Sequence, residues 1–119
     1  MIKFLKGFGY AFAGIWQMFM HERNFKVHIL ALIVVISAGF YFHISANEWL
    51  VLLLISALVL ALETINSAIE KLCDLYTKET HPQIKRIKDI AAGAVLISAI
   101  FALVIAIVIF KKYIQILIS

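Results

Sequence analysis

Glu63-Thr64-Ile65-Asn66-Ser67-Ala68-Ile69-Glu70 closes a run from Trp49 to Leu62 in which Ser56 is the sole polar interruption. A carboxylate therefore appears before the apolar stretch has ended. Ionisable groups at membrane depth are costly to keep and are usually functional. On a helix turning about 100° per residue, Glu63, Asn66, Glu70 and Asp74 follow one another at helical spacing and fall on one narrow stripe. An apolar helix with an acidic stripe at one end points to a cation or catalytic site rather than to packing alone.

The rest of the chain fits the same environment. Of 119 residues, 64% are hydrophobic, and the mean hydropathy is +1.00, far above a soluble domain. Crossing a bilayer takes about 20 helical residues. Three segments qualify: 27–44, 49–75 with Glu63 inside it, and 89–110, whose stretch from Ile90 to Phe110 carries no charge. A soluble protein this small could not cover three such helices. The expected fold is all-α and integral to the membrane, one domain over 1–119. An N-terminal amphipathic surface helix over about 1–21 precedes the three spans. There Lys3, Lys6, Tyr10, Ala13, Gln17 and His21 share one side, and Phe4, Phe8, Phe12, Ile15, Trp16 and Phe19 cover much of the rest.

His21-Glu22-Arg23-Asn24 forms a polar break after the surface helix. Glu22 reads there as a solvated charge paired with Arg23 or Lys26. His28 and His43 read as lone interfacial histidines, and Trp49 as a headgroup-level anchor. Ser45 to Glu48 is a short connection, and Thr77 to Pro82 is the second break, because proline cannot continue a helix that precedes it. Asp89 is expected in the first turn of the third span, where the helix dipole favours a carboxylate. Ala91, Ala94, Ser98, Ala102 and Ala106 form a small-residue stripe suited to close helix packing. Three helices cannot bury all these polar groups, so an oligomer is expected.

The net charge is +4, but its placement matters more. Lys3, Lys6, Arg23 and Lys26 precede the first span, and Lys71, Lys78, Lys85, Arg86 and Lys88 surround the second connection. The connection at Ser45 to Glu48 has no basic residue. The positive-inside rule puts the N-terminus and the second connection in the cytoplasm, with Lys111 and Lys112 opposing mildly. These scattered cations beside membrane spans suit lipid headgroups or a nucleotide phosphate, not nucleic acid. The N-terminus shows no secretory signal pattern. Cys73 is the one cysteine, so no intrachain disulfide or thiolate metal cluster is expected.

Glu63 and Glu70 stand about 10 Å apart along a helix axis, so one can act deep and the other near water. That suits a reaction between a lipid hydroxyl in the bilayer and a polar co-substrate in the cytosol. Phosphoryl transfer needs a metal to screen phosphates, a cation on the transferring group and a carboxylate to take the acceptor's proton. Glu22 and Glu70 can hold Mg2+ with water, Lys88 can meet the phosphate, and Glu63 can be the base. No Walker A loop and no kinase-type glycine-rich loop is present, which excludes a soluble nucleotide-binding fold. A small oligomeric channel would also use an intramembrane Glu and Asn stripe. A membrane assembly factor with structural charges is the third class.

Glu63-Thr64-Ile65-Asn66-Ser67-Ala68-Ile69-Glu70, Asp74 and Lys88-Asp89-Ile90-Ala91-Ala92-Gly93-Ala94-Val95 resemble the signature of the small prokaryotic diacylglycerol kinases. Glu22-Arg23-Asn24-Phe25-Lys26-Val27-His28 resembles their Gram-positive branch, whose members include undecaprenol kinases. The resemblance spans essentially the whole chain. It implies a homotrimer in the bacterial cell membrane, with active sites shared between subunits, using ATP and Mg2+ at the cytoplasmic face. It implies Glu63 as proton acceptor, Glu22 and Glu70 as metal ligands, and Asn66, Lys88 and Asp89 in the catalytic centre. Lys3, Tyr10, Asp74 and Glu79-Thr80-His81 match nucleotide-contact positions, as do Lys88 and Asp89. Lys3 stands where some relatives carry arginine, keeping charge but losing bidentate phosphate binding. Ala13 and Ala92 depart from polar residues of the Gram-negative branch and favour a different lipid acceptor. Undecaprenol is the first expectation and diacylglycerol the second.

Overall fold

The computed structural model describes residues 1–119 as four helices: α1 (Ile2–His21), α2 (Arg23–Phe42), α3 (Ala46–Tyr76) and α4 (Pro82–Ile118). The last three are long and apolar enough to cross a membrane. There is no strand. A helix the length of α4 runs about 55 Å, close to the longest molecular extent of 57 Å. The second extent, 43 Å, is far wider than three packed helices, so α1 stands off to the side.

Each junction has a local cause. The break after α1 is narrower than expected, a single extended residue, Glu22 (φ −106°, ψ 111°). Its N–H donates to the Met18 carbonyl and its own carbonyl accepts from the Lys26 N–H, so Glu22 closes one helix and opens the next. The first span begins earlier and ends earlier than expected. His43 adopts the left-handed conformation (φ 53°), and the Ile44 N–H bonds back to the Gly39 carbonyl. Ile44 thereby leaves the helix and becomes buried at 6% exposure. The connection after it is also shorter. Ser45 is the N-cap of α3, and Ser45 and Glu48 exchange side-chain and backbone bonds as a capping box. Asn47 and Glu48 thus belong to the helix. At the second break Pro82 opens α4 rather than closing the loop, since its missing N–H costs nothing in a first turn. The helix therefore begins seven residues before Asp89. That corrects the first-turn placement of Asp89, which pairs instead with Lys85 at 2.6 Å.

Packing is strongest between α3 and α4 and weakest at α1. The small-residue stripe of α4 lies on its packed side: Ala91, Ala94, Ser98, Ala102 and Ala106 are all buried or half-buried. At the end where α2 turns into α3, Ile44, Leu52, Ile109 and Phe110 form a buried cluster flanked by Phe42, Trp49 and Tyr113. Glu48 ties this end together. It accepts from Tyr113 Oη at 2.6 Å and meets Lys112 Nζ at 2.8 Å. Gly39 lets the Trp49 indole lie against α2, because a Cβ there would come within 2.5 Å of the ring. Gly39→Ala should therefore cost about 1–3 kcal/mol of stability by overpacking, read as a lowered unfolding midpoint in detergent. An unchanged midpoint would mean that the indole is free to move.

Only 14 of 119 residues are buried. The apolar faces of α2, α3 and α4 are consequently left to lipid or to other chains, as membrane spans leave them.

Candidate functional site

The buried side of α3 is apolar at first, through Leu52 and Val59, and then turns polar at Glu63, Asn66 and Ser67. Measured from Trp49 at one interface, Glu63 lies about 21 Å along the axis, inside a hydrocarbon core of about 30 Å. Asp74 lies about 38 Å along and clears it. The acidic stripe thus crosses from lipid into water within three turns.

Glu63 is 3% exposed, Asn66 6% and Ser67 3%. Burial of this kind is sustained only with partners. Asn66 Nδ2 donates to Glu70 Oε1 at 3.2 Å, while Asn66 Oδ1 is buried and has no partner. A buried amide oxygen without a donor is costly, and it leaves an acceptor beside Glu70. Glu63 faces His28 across from α2, with His28 Nε2 3.8 Å from Glu63 Oε2. Glu70 and Glu22 are also within electrostatic range of Glu63.

Ion pairs join the stripe to its surroundings. Glu22 at the α1–α2 joint pairs with Lys71 of α3, not with Arg23 or Lys26 as the sequence suggested. Lys88 of α4 pairs with Asp74 of α3 at 2.6 Å and lies within electrostatic range of Glu70. Glu22, Glu63, Asn66, Glu70, Asp74 and Lys88 are therefore gathered at one end of the bundle. Asp89 sits beside them in sequence but faces Lys85. Lys3 and Tyr10 are exposed on α1, and Glu79, Thr80 and His81 are exposed in the loop. None of these five bonds to the stripe, and His81 instead accepts from the Gln83 N–H as the cap of α4.

Two cavities have a site residue in their walls. One, of about 290 Å³, is an apolar groove among α2, α3 and α4, lined by Leu32, Leu52, Val59, Ala99 and Leu103, with His28 in its wall. Its other polar side chain, Ser56, donates to the Leu52 carbonyl. The second, also about 290 Å³, lies between α1 and α3 with Gln17, His21, Glu22, Thr64 and Lys71 in its wall.

Sequence reasoning missed two members of the site. His28 was read as a lone interfacial histidine, and Lys71 only as part of the basic flank. Both partnerships join different elements, so no single-helix periodicity could reveal them.

An apolar groove with His28 in its wall, 3.8 Å from the buried Glu63 and close to paired acids and lysines, suits an enzyme acting on a lipid with a charged co-substrate. The chain belongs to the prokaryotic diacylglycerol kinase family, whose model matches residues 9–110. It is thus a membrane lipid kinase, using ATP to phosphorylate a lipid, and not a channel or an assembly factor. It is 40% identical to the undecaprenol kinase of Bacillus subtilis (strain 168) over 108 residues, 91% of this chain and 88% of that protein. It is 40% identical to a diacylglycerol kinase of Synechocystis sp. over 102 residues, 85% of this chain and 58% of that protein. To the diacylglycerol kinase of Escherichia coli (strain K12) it is 28% identical over 102 residues, 86% of this chain and 84% of that protein.

Proposed function

We propose that this kinase transfers the γ-phosphoryl group of ATP to undecaprenol, at sites shared between the subunits of a homotrimer. The observation that carries the reading is the apolar groove whose wall holds His28, itself 3.8 Å from Glu63. Its aliphatic walls suit a polyprenyl chain. Diacylglycerol brings two ester carbonyls, which lose hydrogen bonds on burial unless donors meet them. The groove's polar side chains are His28, engaged with Glu63, and Ser56, engaged with backbone. The similarity to the Bacillus subtilis undecaprenol kinase supports the same acceptor.

In this reading Glu63 takes the proton of the lipid hydroxyl as its oxygen attacks the γ-phosphorus. Asn66 holds Glu70 in place. Lys88, released from Asp74, meets phosphate, and Asp89 assists at the same helix turn. Lys3, Tyr10, Asp74 and Glu79-Thr80-His81 contact the nucleotide, with α1 laid along the membrane surface by its amphipathic faces. The exposed faces of the spans support the trimer, in which neighbouring chains complete the site.

No group of three or more His, Cys, Asp or Glu side chains stands ready to hold a metal. Two carboxylates are enough for Mg2+, which takes its remaining ligands from water and phosphates. Glu22 and Glu70 would hold it, and the unpartnered Asn66 Oδ1 adds a third hard oxygen beside Glu70. Bound there, Mg2+ would screen the charge of the triphosphate.

The site end carries most of the basic residues, and their excess supports a cytoplasmic orientation for it. Lys112, which opposed that orientation, is neutralised by Glu48.

The test is ATP-dependent labelling by purified protein in mixed micelles, with undecaprenol and diacylglycerol in parallel. Label on undecaprenol is the expected result. Preference for diacylglycerol would overturn the acceptor, and label on neither would overturn the reading.

A further inference from the structure

Glu63 must lose the proton it gains before the next turnover, and its surroundings restrict how. Its side chain is 4% exposed, so bulk water has no direct access. The charged and titratable groups within range of it are His28 on α2, Glu70 on α3 and Glu22 at the α1–α2 joint. Glu70 is held by Asn66 and Glu22 by Lys71. Lys71 is an ammonium group engaged with Glu22, and Lys88 one engaged with Asp74, so neither is a free base. His28 alone combines a basic nitrogen 3.8 Å from Glu63 Oε2 with a side chain 24% exposed. It also lines the apolar groove, so one imidazole touches the base, the acceptor's channel and solvent.

We infer that His28 is a positioning residue for Glu63 and carries the acceptor's proton from Glu63 to water. This rests on the kinase reading above. As the lipid oxygen bonds to the γ-phosphorus, its O–H bond breaks and the proton passes to a Glu63 carboxylate oxygen. The bond from phosphorus to the leaving oxygen breaks, and its electron pair stays on ADP. Glu63 Oε2 then passes the proton to His28 Nε2, leaving an imidazolium beside a restored carboxylate. The imidazolium releases the proton at its exposed edge. The separation of 3.8 Å is longer than a hydrogen bond, and such contacts commonly tighten when substrate is bound. Between turnovers the imidazole holds the carboxylate beside the groove wall that His28 itself lines.

The experiment compares wild type, His28→Gln and His28→Ala at equal folded concentration, with the lipid that wild type phosphorylates. Both variants should lose about tenfold or more in kcat, toward the scale of a missing acid–base group, with KM for ATP and lipid little changed. Imidazole added to His28→Ala should restore turnover in proportion to its concentration. Pyrazole, of the same shape but a far weaker base, should not. Glu63→Gln should respond to neither. Unchanged kcat in His28→Gln, or equal rescue by both azoles, would reduce His28 to a packing role and overturn the inference. A wild type that labels no lipid would instead overturn the functional reading beneath it.

Discussion

Glu63→Gln should lower turnover on the lipid by about 10²–10⁴-fold, the scale on which a positioned general base acts. The substitution keeps shape and volume, and the amide still faces His28. Loss of activity therefore reports loss of the base rather than of the fold. Because the Glu63 side chain is 4% exposed, water cannot slip in to replace it. The variant should elute at the same volume as wild type and bind ATP as wild type does, with the defect confined to the transfer step. Residual turnover above about a tenth of wild type, too much for a missing general base, would remove Glu63 from that role. Loss of ATP binding would move it to the nucleotide site instead.

Glu22→Gln and Glu70→Gln should each raise the Mg2+ concentration needed for half-maximal activity by about tenfold or more. Weakening the shell around a metal already costs about 10–100-fold in affinity. The two variants differ in what else they disturb. Glu70→Gln leaves the Asn66 amide with an amide partner on the same helix. Glu22→Gln also removes the charge that Lys71 meets across the α1–α3 gap. A lowered unfolding midpoint is therefore expected with Glu22→Gln and little change with Glu70→Gln. Titrating Mg2+ in both, with Glu63→Gln as a control whose residual Mg2+ dependence stays put, separates metal binding from base catalysis. An unchanged Mg2+ requirement in both carboxylate variants would overturn the metal assignment.

The three spans are legible in the sequence because each is a long apolar run, and the stripe from Glu63 to Asp74 because helical periodicity dictates which residues share a face. The ends of the helices were misjudged where local chemistry outweighs hydropathy. Ser45 and Glu48 have the spacing of a capping box, and that signal could have moved the start of α3 to Ala46. Pro82 was read as a stop when its position at the head of α4 makes it a start. The partnerships of His28 with Glu63 and of Glu22 with Lys71 were out of reach for a different reason. They depend on how each helix is rotated about its own axis against its neighbours, and one chain's pattern does not record that. The positions proposed to contact the nucleotide, on α1 and in the loop, are scattered in a single chain. That is the expected appearance of a site completed by a neighbouring subunit.

The joint at Glu22 sets a limit on how this protein can change length. It is one residue long, and both helices that meet there draw a backbone hydrogen bond from it. A residue gained or lost within α1 near this point would turn the rest of that helix by about 100°. Lys3 and Lys6 would swing round relative to α2, with no slack to absorb the error. The stretch from Thr77 to His81 carries no such constraint, since five residues separate α3 from α4 there. For the packing of the helices, a change of length outside Glu79-Thr80-His81 is thus absorbed at the second connection and ruinous at the first, although both look like short polar gaps between helices.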